Sequence, residues 1–180
     1  MTVAASARSS VLLLGNYRPA LAIARSLQPE GYNIIQGLEG DEGGCETSRF
    51  VAEAWDHPPL GRSQSGFLAA LEAFLSKRED IGYVYPVSEE FVHAFAYSGW
   101  TPPQGVTLVG PDNETIKLFS SKQQSLELAR RIGVATLPFA IISDHPSMLG
   151  EAEEIGYPIV VRPLGTTARL GHKKAVFAGS

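Results

Sequence analysis

Apolar residues fall along the chain in short blocks separated by turns. Val11, Leu12, Leu13 and Leu14 form an unbroken run closed by Gly15 and Asn16, the pattern of a strand covered on both faces. Ala20, Leu21, Ile23, Ala24 and Leu27 then recur at helical spacing, with Pro19 in the first turn and residues 29–31 ending the helix. Residues 32–35 read as a second strand. The three together make a strand, helix, strand unit of about thirty residues. Residues 37–44, rich in Gly and acid, predict an exposed loop, and residues 49–55 a short apolar stretch broken by Asp56-His57-Pro58-Pro59. Phe67, Leu68, Leu71, Phe74 and Leu75 share one helical face. Residues 83–87 predict a strand, Ser88 the cap of a helix through Ala96, and residues 106–109 a further strand.

Strand and helix therefore alternate over the first 110 residues, which predicts an open, mostly parallel sheet with helices on both faces, a Rossmann-like domain. After Gly110 and Pro111 the texture changes. Asp112 or Asn113 caps a short helix to Phe119, and residues 122–132 give a second helix ending at Gly133. Residues 139–142 predict a strand, 146–155 a helix, 158–162 a strand and 175–177 the start of another. The expected division is a Rossmann-like domain over residues 1–115 and a partial α+β lobe over residues 116–180.

Composition narrows the classes. The 180 residues, 44% apolar and 19% charged, are enough for a sizeable core and exclude a chain that is disordered throughout. Fifteen Lys and Arg against nineteen Asp and Glu leave a formal charge of -4, which gives no general attraction to nucleic acid or anionic lipid. No apolar run is long enough for a membrane span or signal segment. With Cys45 as the single cysteine, no intrachain disulfide and no Cys-based zinc cluster forms. A soluble cytoplasmic protein is expected, and Cys45 is read as a plain loop thiol.

The familiar chemical signatures are missing. The turn Gly15-Asn16-Tyr17-Arg18 lacks the Gly-x-Gly-x-x-Gly spacing, and Tyr17 and Arg18 put bulk where a pyrophosphate needs close backbone approach. There is no Walker loop, no Gly-x-Ser-x-Gly elbow and no His-Glu-x-x-His. His57, His93, His145 and His172 show no metal-ligand spacing and are read as surface or partly buried structural residues. Glu89 and Glu90 complement a helix dipole. Open parallel sheets place their crevices at the strand carboxyl ends, so a ligand-facing edge is expected around residues 15–18 and 86–89.

More specific is the series Gly110-Pro111, Ser121-Lys122, Gly133-Val134 leading to Leu137-Pro138, and Gly156-Tyr157-Pro158-Ile159-Val160-Val161-Arg162-Pro163. It resembles the opening of the ATP-grasp fold: a cation at the head of a helix, a Gly-Val-x-x-x-Pro turn into a strand, then Gly-Tyr-Pro, apolar residues and a cation before Pro. Arg162 in place of Lys looks most like the carbamoyl-phosphate synthase large chain. The resemblance covers nearly the whole chain, diffusely before residue 110.

The resemblance implies an amino-terminal portion of an ATP-dependent ligase that activates a carboxylate as an acyl phosphate, with ATP and magnesium as cofactors of the full-length parent and a small molecule as substrate. Nucleic acid and membrane are not expected partners; a homo-oligomer stays open. Lys122 and Arg162 are the implied nucleotide contacts, because charge spread over phosphate oxygens is held by cations. Arg169 and Lys173 join them on the segment from Leu164 to Lys174, where the family carries a glycine-rich phosphate loop. This segment has only two glycines, Gly165 and Gly171. Its small and polar residues bury little, and mobility is expected. The chain to Ser180 does not reach the residues with which the family holds magnesium, so no turnover by this chain alone is expected. The alternatives are a regulatory or scaffold domain that kept the fold without the catalytic lobe, and a Rossmann-like binder of a small ligand. The carboxylate substrate and the nucleophile are not legible.

Overall fold

The computed structural model describes residues 9–40, 43–142, 145–164 and 168–179, with only the backbone for residues 145–149. The chain divides into two compact units, residues 1–113 and 114–180.

The first unit is a five-stranded parallel sheet. Strand β1 (Ser10–Leu14) lies at its centre, flanked by β2 (Asn33–Leu38) and β4 (Ile81–Pro86), with β3 (Glu53–Asp56) and β5 (Thr107–Leu108) at the edges in the order β3-β2-β1-β4-β5. Helices α1 (Arg18–Leu27), α2 (Gln64–Leu75) and α3 (Glu89–Ser98) connect the strands. The apolar run of β1 is buried at every position because its two faces serve two cores. Leu12 and Leu14 join Ile35, Phe67, Leu71, Val84, Phe91 and Phe95 under α2 and α3. Val11 and Leu13 join Ala20, Ala24 and Ile34 under α1. Ser63 caps α2, its Oγ accepting from the Gly66 amide at 3.0 Å.

Four sequence expectations need correcting here. The loop predicted from Gly37 starts later, since Gly37 and Leu38 complete β2. Strand β3 was not expected as such: it is an edge strand exposed over most of its length, so it lacks the apolar alternation that betrays a strand. Cys45 is no open loop thiol; it is 5% exposed in a 3-10 turn (Cys45–Thr47), packed with the α1 core. Ser88 occupies the cap position of α3, but its side chain makes no capping hydrogen bond.

The amino-terminal edge of the sheet is tied by one arginine. Arg78 donates to Asp80 through Nε at 2.8 Å and Nη2 at 2.9 Å, and through Nη1 to both Glu53 oxygens at 2.7 and 2.8 Å. The Ser10 hydroxyl adds a bond of 2.6 Å to Asp80, so the starts of β1, β3 and β4 share one network. The bonds from Arg78 hold the Asp80 carboxyl well below the usual carboxylate range against the opposing effect of burial, and the Ser10 bond lowers it further. A carboxyl depressed in the folded state adds stability above its unfolded pKa of about 3.9, and that stability is lost as pH falls toward the folded value. Solvent reaches the pair, so the contribution is about 1 kcal/mol. We expect acid unfolding below about pH 4 to be shallower in Asp80→Asn than in the parent chain. Equal pH dependence in urea melts of the two would contradict this.

The second unit contains α4 (Asn113–Ser120, whose first residue closes the first unit), α5 (Lys122–Arg131), α6 (His145–Ile155) and an antiparallel pair, β6 (Ile159–Val161) with β7 (Val176–Ala178). The strand expected at residues 139–142 is absent: they have no ladder partner among the described residues. Arg130 instead stacks its guanidinium 3.6 Å from the Phe139 ring centre and donates to the Phe139 carbonyl at 3.0 Å. Ala152 is the one fully buried apolar residue described in this unit, while Leu137 and Phe177 are 86% and 79% exposed. Among the described residues no helix is long and apolar enough to cross a membrane.

Candidate functional site

Strand β1 is followed in sequence by β2 on one side, and β4 pairs on its other side, so the connections leave β1 in opposite directions. That makes a topological switch point at the carboxyl ends of β1 and β4, where open sheets form ligand crevices. The turns after the two strands do share this edge: Leu14 is in register with Pro86, and the Tyr17 hydroxyl donates to the Val87 carbonyl at 2.7 Å. A cleft of about 310 Å³ opens there, lined by residues of the β1–α1 turn, by Gly37 and Glu39, by His57 and by Ser88, Glu90 and Phe91 of the α3 start.

The walls are held firmly. Asn16 donates to Glu46 at 2.7 Å and accepts from the Cys45 amide at 3.0 Å, and the Cys45 thiol donates to the Tyr17 carbonyl at 3.1 Å. Burial, and to a lesser degree Glu46, raises the Cys45 thiol above its ordinary pKa, which keeps it protonated and poorly nucleophilic. Burial followed by the charges of Glu89 and Glu90 raises the Tyr17 phenol, so it stays a donor at neutral pH. His57, just past β3, is 7% exposed and packs edge-on against Phe67 and Phe91 with centroids 5.1 and 5.6 Å away. Sequence reading missed His57 as a site residue; the available signal was its place immediately after a short strand, before Pro58 and Pro59.

The four cations expected to meet a nucleotide lie in the second unit. Lys122 opens α5 behind its cap Ser121, whose Oγ accepts from the Gln124 amide at 3.3 Å, and Lys122 Nζ reaches the Leu164 carbonyl at 3.5 Å. The head of α5 thus meets the chain just past β6, two residues beyond the exposed Arg162. Arg169 and Lys173 are exposed on the connection from β6 to β7: Arg169 bonds the Ala168 carbonyl at 3.0 Å, and Lys173 closes a tight turn with Leu170 through bonds of 2.9 and 3.2 Å. These contacts do not place them against Lys122 or Arg162. Gly165, Thr166 and Thr167, central to the expected phosphate loop, lie outside the described residues. Among the described residues no three His, Cys, Asp or Glu side chains gather into a metal-binding group.

The fold is an open parallel α/β sheet domain, followed by a second unit of helices and an antiparallel strand pair. No family profile matches the chain. It is similar to the carbamoyl phosphate synthase large chain of Thermotoga neapolitana, 33% identical over 76 residues that cover 38% of this chain and 7% of that one. It is also similar to the phosphoribosylamine–glycine ligase of Pyrococcus furiosus, 27% identical over 144 residues that cover 73% of this chain and 31% of the ligase. In fold it matches the biotin carboxylase domain of Hydrogenobacter thermophilus 2-oxoglutarate carboxylase, solved with MgADP and bicarbonate. That match has a TM-score of 0.69 and 20% identity, and covers 95% of this chain and 37% of that domain. In sequence and fold alike, the chain resembles the amino-terminal part of ATP-grasp enzymes, and it spans well under half the length of these relatives.

Proposed function

We propose that this chain is the amino-terminal portion of an ATP-dependent ligase, with a Rossmann-like domain to about residue 115 and the beginning of the nucleotide-binding lobe after it. The observation that carries the reading is the meeting of Lys122, at a helix head, with the chain immediately after Arg162-Pro163. A guanidinium forks onto two phosphate oxygens in a fixed plane, and an ammonium beside helix amides adds a point charge. Arg169 and Lys173 supply further positive charge from the β6–β7 connection. In the proposed reaction a carboxylate oxygen takes the terminal phosphoryl group of ATP, releasing ADP; a nucleophile then attacks the acyl carbon and phosphate leaves. Magnesium would be held by residues other than those described, which form no ligand group.

The exposed apolar side chains of the second unit support a lobe completed by further structure: Phe119, Leu137, Val160 and Phe177 are all open to solvent. The chain by itself is then inactive. The setting is cytoplasmic and the substrate a small molecule, in keeping with a fold match solved with MgADP and bicarbonate.

The test begins with the reading frame after residue 180, which should run on for at least about 150 residues, a domain's length. In the full-length product, Arg162→Ala and Lys122→Ala should each weaken ATP binding about tenfold, the worth of one charge-assisted hydrogen bond. Unchanged affinity in both variants would remove the nucleotide assignment and favour a scaffold domain. Steady phosphate release from the 180-residue chain, abolished by Arg162→Ala, would overturn its inactivity.

A further inference from the structure

The cleft of the first unit has a chemical bias of its own. The carbonyl of Pro58 can only accept, so the 3.1 Å contact from His57 Nδ1 fixes a proton on that nitrogen. In the neutral ring Nε2 is then an acceptor, and it has no hydrogen-bond partner although the residue is more than nine-tenths buried. Ser88 Oγ is a second buried atom on the same cleft without a partner, and it is not spent on capping α3. Buried polar atoms are nearly always satisfied, and two orphans on one concavity mark the place where a ligand's atoms complete the set.

The remaining polar side chains on the wall sort the ligand by charge. Glu39 and Glu90 are carboxylates, Asn16 is held by Glu46 and Cys45, and no Lys or Arg lines the cleft among the described residues. Glu89 and Glu90 also occupy the first turn of α3, where they offset the positive helix end that would otherwise attract an anion. The two charged side chains on the cleft lining are both carboxylates.

We infer that this cleft binds a small molecule bearing an ammonium group beside an N–H or O–H donor: the carboxylates of Glu39 and Glu90 take the charge, His57 Nε2 accepts the donor, and Ser88 Oγ bonds a neighbouring polar atom. Both atoms are closed to solvent in this structure, so a ligand reaches them as the side chains lining the cleft shift. An anion such as phosphate is repelled. The inference uses no cation of the second unit, so it stands or falls separately from the ligase reading. Within that reading it identifies the amine-bearing reactant as the one the first unit holds.

The experiment is an amide NMR titration of the purified chain with three probes: glycinamide, with an ammonium and amide donors; acetamide, with the amide alone; and inorganic phosphate. Glycinamide should shift the amides of Gly15, Tyr17, Ser88 and Glu90 saturably, acetamide should bind about tenfold more weakly, and phosphate should leave them unmoved. Glu90→Gln, an exposed change that spares the core, should weaken glycinamide about fivefold. His57→Phe keeps the ring packing and removes Nε2; it should weaken glycinamide about tenfold with the native spectrum retained. Phosphate shifting these amides more strongly than glycinamide would overturn the inference. So would the absence of any saturable shift with glycinamide, or equal affinity in a folded His57→Phe chain.

Discussion

Phe67→Ala is expected to lower the stability of the first unit by about 3–5 kcal/mol, the range for deleting a buried phenyl ring. Phe67 is fully buried on the inner face of α2, and its ring lies 5.1 Å from Phe91, 6.3 Å from Phe95 and 6.5 Å from Trp55 by centroids. Rings in contact from β3, α2 and α3 leave little freedom for the walls to collapse into the space, so most of the cavity cost remains. Trp55 and Trp100, the two tryptophans of the chain, both pack in this core, so their fluorescence reports the unit directly. The denaturation midpoint should fall with the slope unchanged. A loss below about 1 kcal/mol would mean that the core repacks freely and that the ring order described above does not hold. Because Phe67 also supports the edge of the His57 ring, the variant should loosen the cleft as well.

Gly15→Val should be the next most damaging change, at about 2–4 kcal/mol. Gly15 has φ +110, which a β-branched residue adopts only under strain, and a Cβ there would stand 3.1 Å from the Ser88 backbone nitrogen and 3.1 Å from the Tyr17 ring. The Ser88 nitrogen belongs to the turn entering α3 and cannot step aside as a flexible side chain would. Gly31→Val separates the two causes: φ is +92 there, but nothing lies within 4 Å of the added carbon, so only the backbone strain of about 1–2 kcal/mol remains. Parallel urea melts read the difference. If the two variants lose the same stability, the β1–α1 turn is not pressed against the start of α3, and the cleft between them is wider than described.

Legibility along the chain followed the range of the interactions involved. The run at residues 11–14, the helix opened by Pro19 and the apolar face from Phe67 to Leu75 were readable because burial on one or both sides writes its period directly into neighbouring residues. The motif from Gly156 to Pro163 was readable for a different reason: its resemblance to ATP-grasp enzymes lies in a contiguous string. Strand β3 escaped because an edge strand is held by backbone bonds to β2, which leave no mark on side-chain polarity. Residues 139–142 misled in the opposite direction, apolar enough for a strand but without a neighbour to pair with among the described residues, and a strand exists only as part of a ladder.

By itself, then, the amino-acid sequence determined that this protein has a parallel α/β first unit, where its main helices begin, and which enzymes its second unit resembles. Those properties depend on residues close together in the chain. The tertiary structure alone decided the strand order, the burial of Cys45 against the β1–α1 turn, the Arg78 network across three strand starts, and the setting of His57 between α2 and α3. Each of these joins residues from about ten to seventy positions apart, and no local pattern specifies such a pairing, because it is selected only when the whole core closes and the entropy of the intervening chain is offset together.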